Sequence, residues 1–293
     1  MSAMATSEPR LAVKRSLTAS EKDDVGALVR EARWNQLAAD WRVFLEVGRL
    51  YAAETDQGRI IATTATLPFG GFAWISMVLV RSDYRRRGLA TKLMQWAMRD
   101  LAADDLVPVL DATPDGRAVY RRLGFEDSWG FQRLRRERRG ASAMLAPPAG
   151  VTVRPLAQAD WPALCAYDAA AFGAGRSAVL AGMRGRLPAA DLVAMRSDSV
   201  AGFLLGRDGG LAAHIGPLIA DDDAIARALV AHALDAIEGP LFIDLADSKA
   251  ALRSFLDAQG FAAVRPFTRM LYGTSTRFDA AARTFAVIGP EFG

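Results

Sequence analysis

The stretch Phe72-Ala73-Trp74-Ile75-Ser76-Met77-Val78-Leu79-Val80, followed by Arg81-Ser82-Asp83-Tyr84 and then Arg85-Arg86-Arg87-Gly88-Leu89-Ala90, decides the fold. Nine almost wholly apolar residues read as a strand buried on both faces. A polar turn ends it, and apolar residues at helical spacing run from Gly88 to about Ala102. Glycine permits the tight turn, and Ala90 lets another group approach the backbone closely. Backbone amides at such a helix start form an anion site, and three arginines beside them add charge suited to a diphosphate. A solvated basic turn is the competing reading. The stretch is neither a Walker A sequence nor a GxGxxG fingerprint.

Outward from it, Leu11–Ser16 alternates like a short strand. Thr18 or Ser20 caps a helix through about Ala32, with Val25, Leu28 and Val29 on its apolar face. A second helix is expected around Trp41–Leu45, and strands at about 49–54, 59–67 and 72–80. A buried strand covers Leu106–Leu110, Pro114 opens a helix to Leu123, and a strand pair is expected over 125–138. Mixed strands and helices give an α/β or α+β class. The run Arg138-Arg139-Gly140-Ala141-Ser142 and the stretch Ala146-Pro147-Pro148-Ala149-Gly150 read as a linker. Before it the chain carries 23 Lys+Arg against 18 Asp+Glu, a net of +5; after it 13 against 15, a net of −2.

The R-x-x-G-x-A pattern of Arg85, Gly88 and Ala90 resembles the acetyl-CoA pyrophosphate loop of the GNAT N-acetyltransferase superfamily. Tyr120-Arg121-Arg122-Leu123-Gly124-Phe125 resembles the Y-x-x-x-G-F signature of the same family. Thr113 stands where the family has an Asn. The layout is also similar to tandem acetyltransferases of the YitH/HolE type, on Trp34-Asn35-Gln36, Leu110–Pro114, Arg265–Met270 and the tail Phe285–Gly293. The resemblance implies two tandem GNAT-like domains, each a mixed, mostly antiparallel sheet flanked by helices. They are expected at 1–140 and 151–293, joined by a linker at 141–150.

An offset of 136 carries Leu28 onto Leu164, Leu93 onto Leu229, Asp111 onto Asp247, and Gly124-Phe125 onto Gly260-Phe261. The same offset carries Arg85-Arg86-Arg87 onto Asp221-Asp222-Asp223, Gly88 onto Ala224 and Tyr120 onto Leu256. Three carboxylates repel a diphosphate, whereas they suit the N-terminus of a helix over Ala224–Ile237. The second copy is therefore expected to have lost the cofactor site and to shape the acceptor pocket or buttress the first.

The resemblance implies acetyl transfer from acetyl-CoA to a primary amine by direct attack, with no metal. Met77, Val78, Leu79 and Val80 would offer backbone groups to the pantetheine arm, and a strand amide would stabilise the oxyanion. Arg85, Arg86, Arg87, Gly88, Leu89, Ala90 and Thr91 would hold the pyrophosphate. Arg117, Arg121 and Arg122 either reach further phosphates or form an exposed helix face. Tyr120 is the catalytic candidate, its phenol protonating the leaving thiolate. Asp111 is either the base that deprotonates the amine or a helix cap, and a water relay to a carbonyl is the alternative base. Trp34, Asn35 and Gln36 line the acceptor site or anchor a loop.

His232 reads as an ordinary helix residue and His214 as a strand residue with a pocket role in view. Cys165 reads as a small core residue. The run Arg133, Arg135, Arg136, Arg138 and Arg139 reads as a solvated strand end, with nucleic acid as the sharper alternative. Of 293 residues 51% are hydrophobic and 24% charged, the mean hydropathy is +0.10, and one cysteine is present. That composition excludes wholesale disorder, a disulfide framework and a zinc cluster of cysteines. No apolar run reaches membrane-span length and no signal sequence is evident, so a cytoplasmic enzyme is expected. The expected partner is a small-molecule amine, with neither nucleic acid nor membrane, and the chain a monomer or homodimer. The alternatives are an acyl-CoA-binding regulatory or sensor protein, or a protein N-acetyltransferase.

Overall fold

The computed structural model describes residues 8–140 and 144–293; residues 1–7, and Ala141 and Ser142 of the expected linker, lie outside that part. The chain packs into two compact units, Met1–Pro108 and Val109–Gly293.

In the first unit, strands β1 (Arg10–Lys14), β2 (Arg49–Glu54), β3 (Ile60–Phe69) and β4 (Phe72–Val80) form an antiparallel sheet in that order. Helix α1 (Ala19–Ala32) starts at a capping box: the Glu21 N–H donates to Thr18 Oγ1 (3.3 Å), and the Thr18 N–H donates to the Glu21 carboxylate (2.8 Å). Helix α2 spans Ala38–Val47 and α3 spans Leu89–Ala103. Leu89, Leu93 and Ala97 of α3 recur at i+4 and pack on Tyr51, Ala53, Ile61 and Ala62 of the sheet. A bulge breaks the β3–β4 ladder, because Thr63 opposes Leu79 while Ala65 opposes Ser76. Met77, at the bulge, has φ of 52°.

The second unit contains β5 (Val107–Ala112) from Val109 on, α4 (Pro114–Arg122), β6 (Phe125–Arg136), β7 (Val151–Pro155), α5 (Trp161–Phe172), α6 (Ser177–Ala181), β8 (Leu192–Arg196), β9 (Ser199–Arg207), β10 (Ala213–Ala220), α7 (Asp223–Ala236), β11 (Leu241–Ala246), α8 (Ala250–Ala258), β12 (Ala262–Tyr272) and β13 (Thr284–Val287). Its strand order is β5-β12-β6-β11-β13-β10-β9-β8-β7. The ladders are antiparallel except for a short parallel pairing of Ala213–Ile215 with Leu241–Ile243. Leu241, Ile243 and Leu245 face a core built with Leu229, Val230 and Leu234 of α7 and Leu252 and Leu256 of α8.

Residues 125–136 make one continuous strand rather than the expected pair. Its partners come from the second copy: β6 lies between β12 and β11, and β12 in turn lies between β5 and β6. The last strands of the two copies are thus exchanged. Phe131 opposes Phe267, the residue 136 positions further on, and their rings stack at 5.1 Å. The bulges on either side fall at Ser128 and Val264, again 136 apart, so the ladder has a local twofold repeat.

Two guanidinium–carboxylate pairs flank this ladder. Arg269 grips Asp111 through Nε and Nη2, both at 2.9 Å, and Arg133 grips Asp244 at 2.8 and 2.7 Å. Arg269 lies 136 after Arg133, so Asp244, not the expected Asp247, is the counterpart of Asp111. Three additional residues, Asp247-Ser248-Lys249, then restore the offset before α8. The run expected to be a solvated strand end is so only in part: Arg138 and Arg139 are exposed, whereas Arg133 and Arg136 are buried, and Arg136 donates to the Ile237 carbonyl (2.8 Å).

Removing one partner of a buried pair strands a desolvated charge. Arg269→Leu should lower stability by about 3–5 kcal/mol in chemical denaturation, and Arg269→Leu with Asp111→Leu should recover most of that loss.

Candidate functional site

The first unit presents a preformed turn between β4 and α3. The carboxylate of Glu31 on α1 accepts from the Ser82 N–H (2.8 Å) and pairs with Arg81 Nε (2.7 Å), and the Ser82 contact holds Glu31 below the usual carboxylate range. Arg85 Nε donates to the Val80 carbonyl (3.2 Å); Arg87 donates to the Asp83 carbonyl (2.8 Å) and lies 5.0 Å over the Tyr84 ring. Arg86 is exposed with φ of 60°, and Gly88 has φ of 77°, a conformation glycine adopts without penalty.

Helix α3 has no side-chain cap, and its first internal bond runs from the Lys92 N–H to the Gly88 carbonyl (2.9 Å). The amides of Leu89, Ala90 and Thr91 therefore have no intrahelical acceptor, and a Cβ built on Gly88 would meet nothing within 4 Å. These features suit a polyanion: an open approach, unspent amides and Arg86 beside them. At the other end of the turn, Met77 and Leu79 are buried, Val78 and Val80 half-buried. Thr63 Oγ1 donates to the Met77 carbonyl (2.8 Å) and pins the bulge, which takes main-chain groups out of the β3 ladder. A left-handed methionine costs about 1–2 kcal/mol, which marks a functional strain point.

Of the expected acceptor residues, Trp34 is half-buried after the left-handed Arg33, Asn35 is buried, and buried Gln36 keeps an Oε1 without a hydrogen bond. Sequence reasoning missed Thr63 and Glu31. A threonine opposite β4 and a glutamate at the penultimate position of α1 carry no distinctive sequence signal.

In the second unit, Tyr120 lies on α4 against Phe125 (ring centroids 6.1 Å). Its hydroxyl makes no hydrogen bond among the described residues, and burial pushes the phenol up to about 12. Gly116 leaves room for its ring, since a Cβ there would come within 3.0 Å of Tyr120 Cε2. Arg117 holds Asp127 (3.0 and 3.1 Å) and Arg121 pairs with the same carboxylate, whereas Arg122 makes no ion pair among the described residues. Thr113, not Asp111, caps α4, accepting from the Gly116 N–H (3.2 Å). Asp111 has a fully shielded side chain, and both its oxygens are taken by Arg269. Burial outweighs that guanidinium and pushes its carboxyl up to about 6.

The second copy has the same architecture with its openings filled. Asp222 caps α7 by accepting from the Ile225 N–H (2.9 Å), so a carboxylate of the chain sits where α3 leaves amides free. Asp221 accepts from Tyr167 (2.9 Å) and Arg283 (3.1 Å). Beyond their three-residue parallel pairing, β10 and β11 part, and β13 enters between them: Leu218 opposes Ala286, and Asp244 opposes Val287. A Cβ at Gly216 would come within 2.1 Å of the Val287 carbonyl, so only glycine admits the tail. Lys249, from the three additional residues, donates to the Ala282 carbonyl (2.6 Å) and lies over Phe285. Among the described residues no three His, Cys, Asp or Glu side chains converge as a metal site, and no helix is long and apolar enough to cross a membrane. Cys165 is half-buried on α5, and burial raises its thiol.

A family model described as the acetyltransferase (GNAT) family matches residues 18–125, and one described as an acetyltransferase (GNAT) domain matches residues 164–286. The uncharacterized N-acetyltransferase YitH of Bacillus subtilis (strain 168) is 22% identical over 244 residues, 82% of this chain and 85% of that protein. Among solved structures, a provisionally assigned acetyltransferase of Pyrococcus horikoshii aligns with a TM-score of 0.73 at 19% identity, covering 97% of this chain and 96% of that one. A tandem GNAT protein from the clavulanic acid biosynthesis pathway aligns at 0.62 and 14%, covering 92% of this chain and 100% of its own. At these identities the likeness to solved structures is one of fold.

The strain at Arg86 is testable by itself. Arg86→Gly should leave the thermal stability unchanged or raise it by up to about 1 kcal/mol, since relief of the left-handed backbone opposes the added freedom of the unfolded glycine. The same variant should be retained less strongly on immobilised coenzyme A.

Proposed function

Because the chain belongs to the GNAT acetyltransferase family, with two such domains, we propose that it moves an acetyl group from acetyl-CoA to a primary amine of a small molecule, using one cofactor site. The carrying observation is the contrast between two helix starts: α3 leaves its amides open beside Arg86, and α7 closes its own with Asp222. Bound acetyl-CoA supplies the thioester whose carbonyl carbon the amine nitrogen attacks, the C–N bond forming as the C–S bond breaks.

The amides of Arg86 through Thr91 hold the pyrophosphate, with Arg85 and Arg87 keeping the turn in shape. Main-chain groups of Met77 to Val80 take the pantetheine arm as an added strand, and an amide freed by the bulge meets the oxyanion. The Tyr120 phenol delivers its proton to the departing sulfur. Its raised pKa keeps the proton in place at neutral pH, and its hydroxyl is not spent on any other group. Asp111 is assigned an anchoring role rather than that of base, because Arg269 occupies both oxygens. The ammonium loses its first proton to water before attack, and the proton that the nitrogen sheds after attack passes through a water held by a main-chain carbonyl to the Tyr120 phenolate. Gln36, with its unspent Oε1, reads the acceptor, while Trp34 and buried Asn35 anchor the loop. The copies bounded at 1–140 and 151–293, with 141–150 between them, are retained as the sequence domains. In this reading the enzyme works in the cytoplasm as a monomer or homodimer, and the second copy shapes the acceptor pocket without a metal.

Thiol release from acetyl-CoA across an amine panel tests the reaction; no turnover with any acceptor overturns it. Tyr120→Phe should lower kcat roughly a hundredfold while leaving the KM for acetyl-CoA unchanged. A raised acid stays protonated further into alkali, so kcat/KM should climb with pH as the amine deprotonates and show no fall before about pH 10. Calorimetry should give one acetyl-CoA per chain, and two would overturn the single-site reading.

A further inference from the structure

The second unit carries a row of polar side chains on the sheet face turned away from α7 and α8. Strand register sets them side by side. Arg207 of β9 is opposite His214 of β10, and His214 is opposite Phe242 of β11. Asp244, two residues after Phe242, is opposite Arg133 of β6, and Arg133 is opposite Arg265 of β12. Glu291, from the tail beyond β13, pairs with Arg207. Leu241, Ile243 and Leu245 alternate into the helix-covered core, which leaves Phe242 and Asp244 on the row's side.

The charges of this row do not cancel. Four guanidiniums, those of Arg207, Arg133, Arg265 and of Arg135 opposite Phe242, face three carboxylates, Asp244, Glu291 and the Glu137 that pairs with Arg135, and His214 is neutral, its ring held down at about 3 by burial. The surplus falls at Arg265. Among the described residues no carboxylate pairs with it and its buried Nε makes no hydrogen bond, and a second cation, Arg133, lies directly across the ladder. Like charges opposite one another in a sheet are destabilising. Both guanidiniums lie over the same ring, 5.4 Å and 5.0 Å from the centroid of Phe267.

Arg133 gives Nε and Nη2 to Asp244, which leaves its Nη1 with no hydrogen bond. Arg133 is 6% exposed and Arg265 half-buried, so the pair lies just beneath the surface with a way in beside Arg265. Behind Asp244, His214 is 0% exposed, and neither ring nitrogen makes a hydrogen bond; Nε2 lies 3.5 Å from Asp244 Oδ2. Buried polar atoms left unmatched cost about 1–3 kcal/mol each, so a matching group at this place is favoured.

We infer that this row is a binding site for a small organic acid, whose carboxylate bridges Arg133 Nη1 and the Arg265 guanidinium over the Phe267 ring. A planar carboxylate suits two guanidiniums seated on one aromatic face, and a single negative charge neutralises the surplus. The nitrogens of His214 supply donor and acceptor capacity for a polar group on the same molecule. The site lies wholly in the second unit and does not depend on the acetyl-transfer reading, so either can fail without the other.

Succinate serves as the probe, with succinamide as its neutral counterpart and inorganic phosphate as the other anion. Succinate should bind saturably in calorimetry, succinamide should not, and phosphate should bind more weakly. Arg265→Gln should weaken succinate roughly tenfold or more. The unliganded variant should melt no lower than the native protein, because a like-charge neighbour has been removed. Absence of saturable succinate binding, tighter binding of phosphate, or unchanged affinity in Arg265→Gln overturns the proposal. Should that variant melt lower, the native protein decides: only two histidines are present, and succinate must shift the ring resonances of His214 and leave those of His232. Unmoved His214 resonances overturn it equally.

Discussion

Two salt bridges between exchanged strands, Arg133 with Asp244 and Arg269 with Asp111, set the terms for the second unit. Their side chains are 7% exposed or less, so each charge has given up its water. Desolvation of this kind consumes most of the Coulombic gain, and such pairs add little net stability. What they enforce is register. A slip of one residue would put each arginine on the opposite face and leave four buried charges unmatched. The pairs therefore select one arrangement, in which the last strand of each copy lies against the other copy's sheet. The stacked Phe131 and Phe267, with matched bulges on either side, mark the centre of that exchange.

The same constraint decides what Asp111 can do. A carboxylate at the end of a buried strand reads in sequence either as a base or as a helix cap. Each of its oxygens accepts from Arg269, which ties the carboxylate to β12. Apart from it, the first unit offers a left-handed bulge at Met77 and a helix start without a side-chain cap, and the second unit offers Tyr120, whose hydroxyl makes no hydrogen bond among the described residues. Backbone donors need no particular side chain to specify them, only the turns that present them. Motif spacing located the loop for that reason, and the resemblance named its backbone groups, but Thr63, which pins the bulge, carried no signal.

Much of this architecture was legible. The 136-residue offset predicts α8 from α4 to the residue, Ala250 from Pro114, and the positive φ at Gly124 recurs at Gly260. The mapping of three arginines onto Asp221-Asp222-Asp223 foretold that α7 would hold its own carboxylate. The exchange stayed hidden because β6 and β12 carry the same pattern, and a strand's sequence does not say which copy it pairs with. The offset also failed locally: the three residues before α8 moved the counterpart of Asp111 from Asp247 to Asp244. Arg133 and Arg136 read as solvated because a charged run ordinarily is; their acceptors, Asp244 and the Ile237 carbonyl, lie more than 100 residues away.

The tail completes the sheet of the second copy. Where β10 and β11 part, each turns a row of amide and carbonyl groups toward the gap, and buried main-chain groups without partners are costly. A bound cofactor arm satisfies such groups when it arrives; a copy without one has exposed edges that invite pairing with other chains. Strand β13 fills the gap from within, and because it is covalently attached it surrenders no translational freedom in doing so. Gly216, whose missing side chain admits the Val287 carbonyl, and Lys249, which grips Ala282, are the adjustments that let it in. Asp222 occupies the head of α7 and β13 the strand edges beside it, so groups of the chain itself close both openings of the second copy.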